Sequence, residues 1–330
     1  MGGPQGSGPT PGPPQPLPPS SPPRPPRWNA SQWISLVPAL VPAAVVAGVV
    51  ASLLAASQFH NLGTSFWGSA WNQQTNTYGI LIFVAGSFLT AVPALILSMV
   101  IGLGIAIAST TYLPARVSRL LDPFVDLLAG IPSIIYGIWA FALVAPIFGS
   151  TLAPWATMHL ALIPGFKATA TSPSANGYGL PISIFVLTLM SLPITTLLIR
   201  DALKAVPRDL WESGLALGAT RWETVRRVSM HHGNRGLWSA AFLGFGRAFG
   251  ETVAVAMVIG GATAYPANVY AQTYTMASFM FENLDGALSY PGMLQALAEL
   301  ALVLMAITLV VNLLGRRFVS ALYTQEVAGL

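Results

Sequence analysis

Long apolar stretches separated by shorter polar connections run through most of the chain. Six of them reach the length of about 20 residues that a helix needs to cross a bilayer. They lie at approximately residues 34–58, 79–111, 123–148, 180–200, 238–263 and 293–315. Each stretch is continuously apolar, whereas the strands of a membrane β-barrel alternate. The pattern therefore predicts an all-α polytopic membrane protein with six transmembrane helices.

The composition agrees with this prediction. Of 330 residues, 54% are hydrophobic and 8% are charged, and the mean hydropathy is +0.64. An ordinary soluble domain has roughly 25% charged residues. The chain contains no cysteine, which excludes disulfides, cysteine-based zinc sites and thiol nucleophiles.

The basic residues indicate the orientation, because Lys and Arg are retained on the cytoplasmic side of a membrane. Of the 15 Lys and Arg residues, all but two lie before the first stretch, after the last stretch, or in the second and fourth connections, counting Arg200 at the edge of the fourth stretch with the fourth connection. The exceptions are Lys167 in the third connection and Arg247 inside the fifth stretch. We therefore expect a multi-pass protein of the plasma (inner) membrane with both termini in the cytoplasm. The net charge of +4 reflects this asymmetry and does not indicate nucleic-acid binding.

The chain divides into a membrane domain and two tails. Residues 1–33 are dominated by Pro, Gly and Ser, and because such a composition cannot bury a core it predicts a disordered cytoplasmic tail. Residues 34–320 form the membrane domain, in which a cytoplasmic loop over residues 201–237 joins the fourth and fifth stretches. Residues 321–330 form a second cytoplasmic tail.

The loop over residues 201–237 has mixed charge and apolar residues at helical spacing. Pro207 is positioned to start a helix, and Gly218 is expected to form a turn between two short helices. An amphipathic segment of this kind needs a surface to cover its apolar side. From the residues alone, that surface is either anionic lipid or a partner protein.

Two charges interrupt the fifth apolar stretch, which reads FGRAFGETVAVAMVIGG over residues 245–261. A charge at the centre of a transmembrane helix costs about 2.5 to 3.5 kcal/mol, so Arg247 and Glu251 must face protein or water. Being four residues apart, they are expected on one face of a helix. Two interpretations remain open: a structural ion pair between helices, or an arginine that binds an anion while the glutamate holds it in place.

Two polar residues in the third stretch are further candidates. Ser133 and Tyr136, in the sequence IPSIIYG, could line a pathway through the membrane or could serve helix packing. The chain has no G-x-x-x-x-G-K-[ST] motif, no catalytic triad, no paired catalytic carboxylates and no metal-ligand cluster. We therefore expect no catalytic residue, no metal site and no cofactor in this chain.

Several motifs resemble those of a known family. ESGLALGATRWETVRRVSMHH, residues 212–232, is similar to the cytoplasmic signature loop of ABC importer permeases. Glu212 and Gly218 match that pattern, whereas Ser213 and Gly214 replace its two alanines and His231 replaces its proline. LLAGIPSIIYGIWAFALVAPIF, residues 127–148, and LGFGRAFGETVAVAMVIGG look like the third and fifth helices of phosphate-specific permeases, in the C-type rather than the A-type subunit.

The resemblance implies a type I ABC importer permease fold and a role in importing inorganic phosphate by alternating access. Arg247, Glu251, Ser133 and Tyr136 would line the substrate pathway, and Glu212, Gly218, Ala219 and Arg221 would couple it to ATP hydrolysis. The implied partners are an A-type permease subunit, a dimer of ATP-binding subunits that holds ATP and Mg²⁺, and an extracytoplasmic phosphate-binding protein. The permease itself would not be an enzyme.

Three alternatives to phosphate import remain from the sequence, of which a non-transporting membrane scaffold or sensor would explain the buried charge pair poorly. The other two are transporters. The same architecture could carry another oxyanion such as sulfate or molybdate, because an arginine suits all of them. A proton-coupled secondary transporter would instead use Glu251 as its proton carrier, but such a transporter would not need a signature loop for an ATPase.

Overall fold

The computed structural model describes residues 30–57, 66–160, 162–163, 165–166 and 177–327. The first 29 residues of the Pro-rich tail and Lys167 lie outside the described residues. Within the described part, every element is helical except one antiparallel pair of short strands, β1 (Trp71–Asn72) and β2 (Thr77–Tyr78). The prediction of an all-α protein is confirmed.

The helices follow in this order. The first four helices are α1 (Ala30–Ser57), α2 (Leu81–Ile107, with a π-helical continuation Ala108–Tyr112), α3 (Ala115–Gly130) and α4 (Ser133–His159, with π-helical segments Ala140–Val144 and Phe148–Leu152). The next three are α5 (Leu180–Lys204), α6 (Arg208–Ala216) and α7 (Arg221–Thr224, continuing through the π-helical Val225–Ser229 and Met230–His232). The last four are α8 (Asn234–Phe249), α9 (Val253–Ala256), α10 (Met276–Asn283) and α11 (Met293–Val327). The chain forms two units, residues 1–49 and residues 50–330. The second unit contains every element after the first part of α1.

Five of the described helices are long and apolar enough to cross a membrane. They are Leu40–Ser57, Leu81–Tyr112, Ser133–His159, Leu180–Lys204 and Met293–Gly315. The number of six crossings and the cytoplasmic position of both termini stay predictions.

The third apolar stretch begins later than expected. Residues 123–130 belong to α3, which ends at Gly130, and Ile131 is extended with φ −72° and ψ 125°. Pro132 then precedes the first residue of α4, Ser133. The residue before a proline avoids the helical region because the proline ring crowds it. The expected span 123–148 is therefore divided into two helices at this point.

The fifth apolar stretch is not one helix. α8 ends at Phe249, and Gly250 follows with φ −90° and ψ −1°. Thr252 donates a hydrogen bond from its hydroxyl to the carbonyl oxygen of Gly250 at 3.2 Å, and α9 begins at the next residue. The expectation of a continuous helix over 238–263 is wrong, because glycine here weakens the helix and the threonine hydroxyl satisfies a freed carbonyl group.

Small and hydroxyl-bearing residues hold α2, α5 and α8 together. Thr195 on α5 lies within 3.4 Å of the carbonyl oxygen of Ser98 on α2 and donates a hydrogen bond to it. A Cβ atom on Gly244 of α8 would lie 2.7 Å from Cγ2 of Thr195. Small interface residues permit this close approach, which is how helices associate where no water is expelled. α11 packs on the other side of α8, where a Cβ atom on Gly315 would lie 2.9 Å from Cβ of Phe242.

An aromatic cluster joins the connections on the side expected to face outward. The rings of Phe83 and Phe279 stack with centroids 4.0 Å apart, and Trp71 packs on Phe279 at 4.7 Å. Tyr78 donates a hydrogen bond from its hydroxyl to the carbonyl oxygen of Pro291 at 2.7 Å. This cluster fixes β1, β2 and the start of α2 against α10 and the chain that leads into α11.

Candidate functional site

Arg247 lies near the C-terminal end of α8 and its side chain is exposed. The next two residues, Ala248 and Phe249, are buried at 4% and 2% exposure. The arginine therefore projects away from the core side of α8. Among the described residues, it has neither an ion-pair partner within 4.0 Å nor a hydrogen bond, so its guanidinium donors are available to a ligand.

Glu251 lies beyond the end of α8, in the non-helical turn before α9, and is partly exposed. It makes no ion pair with Arg247, nor with any other residue in the described ranges. The expectation that the two side chains share one helical face is wrong, because that spacing holds only within a continuous helix. Glu251 therefore lies outside the helix that carries Arg247.

Tyr136 and Gly137 bring α4 against the segment that carries Glu251. A Cβ atom on Gly137 would lie 3.0 Å from Cα of Ala254 in α9, so a larger residue would separate the two segments. Tyr136 is buried at 9% exposure and donates a hydrogen bond to the carbonyl oxygen of Leu128 at 3.0 Å. Through Gly137, α4 therefore packs against α9, which begins two residues after Glu251.

Ser133 is the first residue of α4 and is partly exposed, one turn before Tyr136. Sequence reasoning did not single out Gly137 or Thr252, although both shape this region. Their neighbours in sequence are unremarkable for an apolar segment. Only the contact between α4 and α9 and the helix break after Phe249 reveal their roles.

This arrangement suits the transient binding of an anion. An exposed arginine within an apolar membrane segment must face water or another protein, because lipid would leave its charge unsolvated. Its planar guanidinium can donate two parallel hydrogen bonds to an oxyanion. Since no carboxylate of the described chain pairs with it, an entering anion would not have to displace one.

Glu299 is a second carboxyl group in a predicted transmembrane segment. It lies in the first part of α11, at 3% exposure, among the buried residues Ala296 and Leu300. Glu299 therefore faces the interior of the protein.

The loop over residues 201–237 folds into α6 and α7 beside the ends of α2 and α5. Val225 is buried at 1% exposure in a cluster with Ile107 and Leu203, and Trp211 packs against that cluster. The same segment also leaves large apolar side chains exposed: Leu210 at 43%, Leu215 at 38%, Leu217 at 89% and Trp222 at 52%. An apolar surface of this kind on a structured segment is typical of a docking surface.

Two hydrogen-bonded motifs define the turn between α6 and α7. Gly218, with φ +84°, donates from its N–H to the carbonyl oxygen of Leu215 at 2.9 Å, and Ala219 donates to that of Gly214 at 3.2 Å. These bonds form a Schellman motif, which requires the left-handed conformation that glycine adopts readily. The prediction of a turn at Gly218 is confirmed.

A capping box starts α7. Thr220 donates from its N–H to Oε2 of Glu223 at 2.8 Å, and Glu223 donates from its N–H to the hydroxyl of Thr220 at 3.2 Å. The hydrogen bonds from Thr220 lower the pKa of Glu223 below its ordinary value, and Arg227 contributes less. The cap is therefore stable while Glu223 is ionised and weakens only as the pH falls through this lowered pKa.

The two groups of predicted site residues lie at opposite ends of α8. Glu212 and Arg221 are exposed and Ala219 is partly exposed, all before the start of α8 at Asn234. Arg247 follows thirteen residues later, which at 1.5 Å per residue corresponds to roughly 20 Å along the helix. A movement of the loop could therefore reach the region of Arg247 through α8.

A polar cavity of about 320 Å³ opens among the connections on the side expected to face outward. Its lining residues include Asn72, Gln74, Asn283 and Tyr274. Tyr274 donates a hydrogen bond from its hydroxyl to Oε2 of Glu282 at 3.0 Å. Burial, with Glu282 nearby, raises the pKa of Tyr274 to about 12. The tyrosine therefore stays neutral as a hydrogen-bond donor at ordinary pH.

Comparison with known proteins identifies related chains. The sequence profile of the family described as "Binding-protein-dependent transport system inner membrane component" matches residues 100–323. "Phosphate transport system permease protein PstC 1" of Mycobacterium tuberculosis is 37% identical over 245 residues, which cover 73% of this chain and 72% of the relative. "Phosphate transport system permease protein PstC" of Mesorhizobium japonicum is 35% identical over 257 residues, 77% of each chain.

The match extends to an archaeal relative and to solved structures. "Probable phosphate transport system permease protein PstC" of Methanocaldococcus jannaschii is 33% identical over 252 residues, 76% of this chain and 78% of the relative. An inward-facing structure of the MetNI methionine ABC transporter matches with a TM-score of 0.52 and 18% identity, covering 73% of this chain and 95% of the other. The structural likeness supports a shared fold.

Proposed function

Because the chain belongs to the family of binding-protein-dependent transport system inner membrane components, we propose that it is the C-type permease subunit of an ATP-driven phosphate importer. It is a multi-pass membrane protein with the type I ABC importer permease fold. The function of a permease is to provide a pathway, and chemistry on ATP belongs to a separate subunit. The named relatives over about three quarters of the chain support inorganic phosphate as the solute.

The partners follow from the same proposal. An A-type permease subunit would pair with this chain and complete the pathway. Two ATP-binding subunits, which hold ATP and Mg²⁺, would dock on the cytoplasmic side. An extracytoplasmic phosphate-binding protein would deliver the solute to the outward connections.

The pathway is proposed to pass Arg247, with Tyr136, Ser133 and Glu251 nearby. This proposal rests on the exposed guanidinium of Arg247, which has no ion-pair partner among the described residues. The side chain projects from the side of α8 that is not packed in the core. A permanent positive charge would compensate phosphate during its passage. Glu251, without being paired to Arg247, would keep the local charge low enough for the anion to leave.

Coupling to ATP hydrolysis is proposed to use the exposed side of α6 and the turn after it. Leu217 and Trp222 would enter a groove of an ATP-binding subunit, with Glu212, Gly218, Ala219 and Arg221 at the same surface. Closure of the ATP-binding subunits would move this segment, and α8 would transmit the movement toward Arg247. Rigid-body motion of packed helices is a known way to switch access between two sides.

Substitution of Arg247 tests the pathway. We expect Arg247→Gln to lower kcat/KM for phosphate uptake about tenfold to hundredfold, the effect of losing about 1.4 to 2.8 kcal/mol of charged hydrogen bonding. ATP-dependent uptake of labelled phosphate into vesicles with the reconstituted complex measures this. Arg226→Gln is the matched control, because it removes one exposed arginine from α7 and leaves the proposed pathway intact.

Three results would contradict the proposal in different ways. Normal uptake by an assembled Arg247→Gln complex would remove the arginine from the pathway. Failure of this variant to assemble would make Arg247 structural. Uptake that sulfate or molybdate blocks better than unlabelled phosphate would assign the pathway to another oxyanion.

A further inference from the structure

A second cavity, of about 270 Å³, lies between the membrane helices and the segment α6 to α7. It is on the side that the basic residues assign to the cytoplasm, away from Arg247. Its lining residues are Thr110, Thr111, Leu203, Lys204, Val206, Arg208, Trp211, Val225 and Ser229. Apart from Val206, which lies in the turn between α5 and α6, these residues come from α2, α5, α6 and α7.

Two π-helical segments contribute to the wall of this cavity. Thr110 and Thr111 belong to the π-helical end of α2, and Val225 and Ser229 belong to the π-helical part of α7. The wider π-helical turn is rare and recurs at functional sites, because it is less stable than the α-helix that would replace it. Two of the four π-helical segments in the described ranges therefore line this one cavity.

Hydroxyl groups line part of the cavity. Thr110 donates to the carbonyl oxygen of Ala106 at 2.8 Å, and its oxygen lies 3.4 Å from that of Thr111. Ser229 is buried at 5% exposure and lines the cavity. Its hydroxyl can donate a hydrogen bond to an occupant of the cavity.

The charge of the lining is positive. Lys204, in the last turn of α5, and Arg208, at the start of α6, are the charged groups among the described lining residues. No carboxylate is among those described lining residues. Lysine and arginine flanking hydroxyl donors are the side chains that bind phosphate groups through charge-assisted hydrogen bonds.

We propose that this cavity binds a phosphate group on the cytoplasmic side of the membrane, held by Lys204, Arg208 and the hydroxyl of Ser229. The group would come from free inorganic phosphate or from the headgroup of an anionic phospholipid, which present the same oxygens. Because Lys204 belongs to a membrane helix and Arg208 to α6, a bound phosphate group joins the coupling segment to the helix bundle. Its occupancy restrains the movement of α6. The site does not depend on which solute the permease carries.

The absence of cysteine from the chain permits a direct test. A single Thr111→Cys substitution places a thiol in the cavity wall, and a neutral maleimide measures its accessibility in the complete transporter complex without nucleotide. The complex is placed in nanodiscs of phosphatidylcholine, with or without inorganic phosphate, or in nanodiscs that also contain phosphatidylglycerol. We expect labelling to slow about tenfold when the phosphate-group ligand is present at about ten times its Kd.

Two double variants separate the proposed site from general charge effects. In the Thr111→Cys background, Lys204→Gln with Arg208→Gln removes the two cations of the cavity. Arg226→Gln with Arg227→Gln removes two exposed cations of α7 that do not line it. Protection must disappear in the first double variant and persist in the second. Sodium chloride at equal ionic strength must give no protection.

The choice of lipid and ligand identifies the source of the bound phosphate group. Protection by inorganic phosphate in phosphatidylcholine assigns the site to the free anion, and protection only with phosphatidylglycerol assigns it to the lipid headgroup. The proposal is overturned if neither ligand slows labelling. It is also overturned if a ligand slows labelling equally in both double variants. If Thr111→Cys prevents assembly, Val206→Cys reports on the same cavity and the same outcomes apply.

Discussion

Individual glycines determine how closely neighbouring segments approach in this protein. Gly86, near the start of α2, faces the backbone of the connection that leads into α10. A Cβ atom there would collide with the carbonyl oxygen of Tyr274. Gly104, further along the same helix, has no atom within 4 Å of a built Cβ atom. The same residue type therefore has different roles at two positions of one helix.

These two glycines give a matched pair of substitutions. We expect Gly86→Ala to destabilise the protein by about 1 to 3 kcal/mol, because backbone must move to admit the methyl group. Gly104→Ala should be neutral or stabilising by up to about 1 kcal/mol, because alanine favours the helix and meets nothing. Thermal unfolding of the purified complex measures both. Equal effects of the two substitutions would show that the close approach at Gly86 is unimportant.

At the scale of elements, the segment from α6 to α7 has a defined shape of its own. A Schellman motif ends α6 and a capping box starts α7, with one residue between Gly218 and Thr220. The turn therefore presents the exposed Leu217 in a fixed orientation. A rigid turn transmits a movement of a partner better than a flexible one.

The conformation of Gly218 can be tested separately from its size. A Cβ atom at this position would have no neighbour within 4 Å, so only the positive φ opposes a side chain. We expect Gly218→Ala to cost about 1 to 2 kcal/mol in the local turn and to reduce the stimulation of ATP hydrolysis by phosphate and its binding protein. Gly218→Asn is the control, because asparagine adopts the left-handed region more readily.

Amide hydrogen exchange over residues 208–224 and ATPase rates of the reconstituted complex measure these effects. We expect protection from exchange and stimulation of ATP hydrolysis both to be highest in the wild type, lower in Gly218→Asn and lowest in Gly218→Ala. If Gly218→Ala exchanges faster but keeps full stimulation of ATP hydrolysis, the conformation of Gly218 stabilises the turn but does not contribute to coupling.

At the scale of the whole molecule, exposed residues lie in connections that are expected on opposite sides of the membrane. Leu288, in the connection before α11, is 83% exposed, and Ala115 at the start of α3 is also exposed. The distribution of basic residues assigns the first to the outside and the second to the cytoplasm. The accessibility of these two positions from each side therefore tests the orientation of the chain in the membrane.

Cysteine labelling tests the orientation, because the chain has no cysteine of its own. We expect Leu288→Cys to react with a membrane-impermeant maleimide in intact spheroplasts. Ala115→Cys should react only after permeabilisation. The reverse pattern would place both termini outside and would remove the coupling segment from the cytoplasm.

The amino-acid sequence by itself determined the all-α membrane architecture and the turn at Gly218. Continuous apolar stretches are decided by local composition, and a glycine between two short amphipathic helices specifies its own conformation. The signature loop and the motif around Arg247 sufficed to identify the family. These features depend on residues close together in the chain.

Only the tertiary structure decided how the membrane segments break and what the polar residues face. The helix stops at Phe249 although the sequence stays apolar, because Gly250 and Thr252 favour a turn and α4 packs through Gly137 on Ala254 in the following helix. Arg247 and Glu251 therefore lie in different segments, and Glu299 is buried in α11. The cytoplasmic cavity joins residues from four elements far apart in sequence. Such outcomes depend on which surfaces pack together, and local residue patterns do not contain that information.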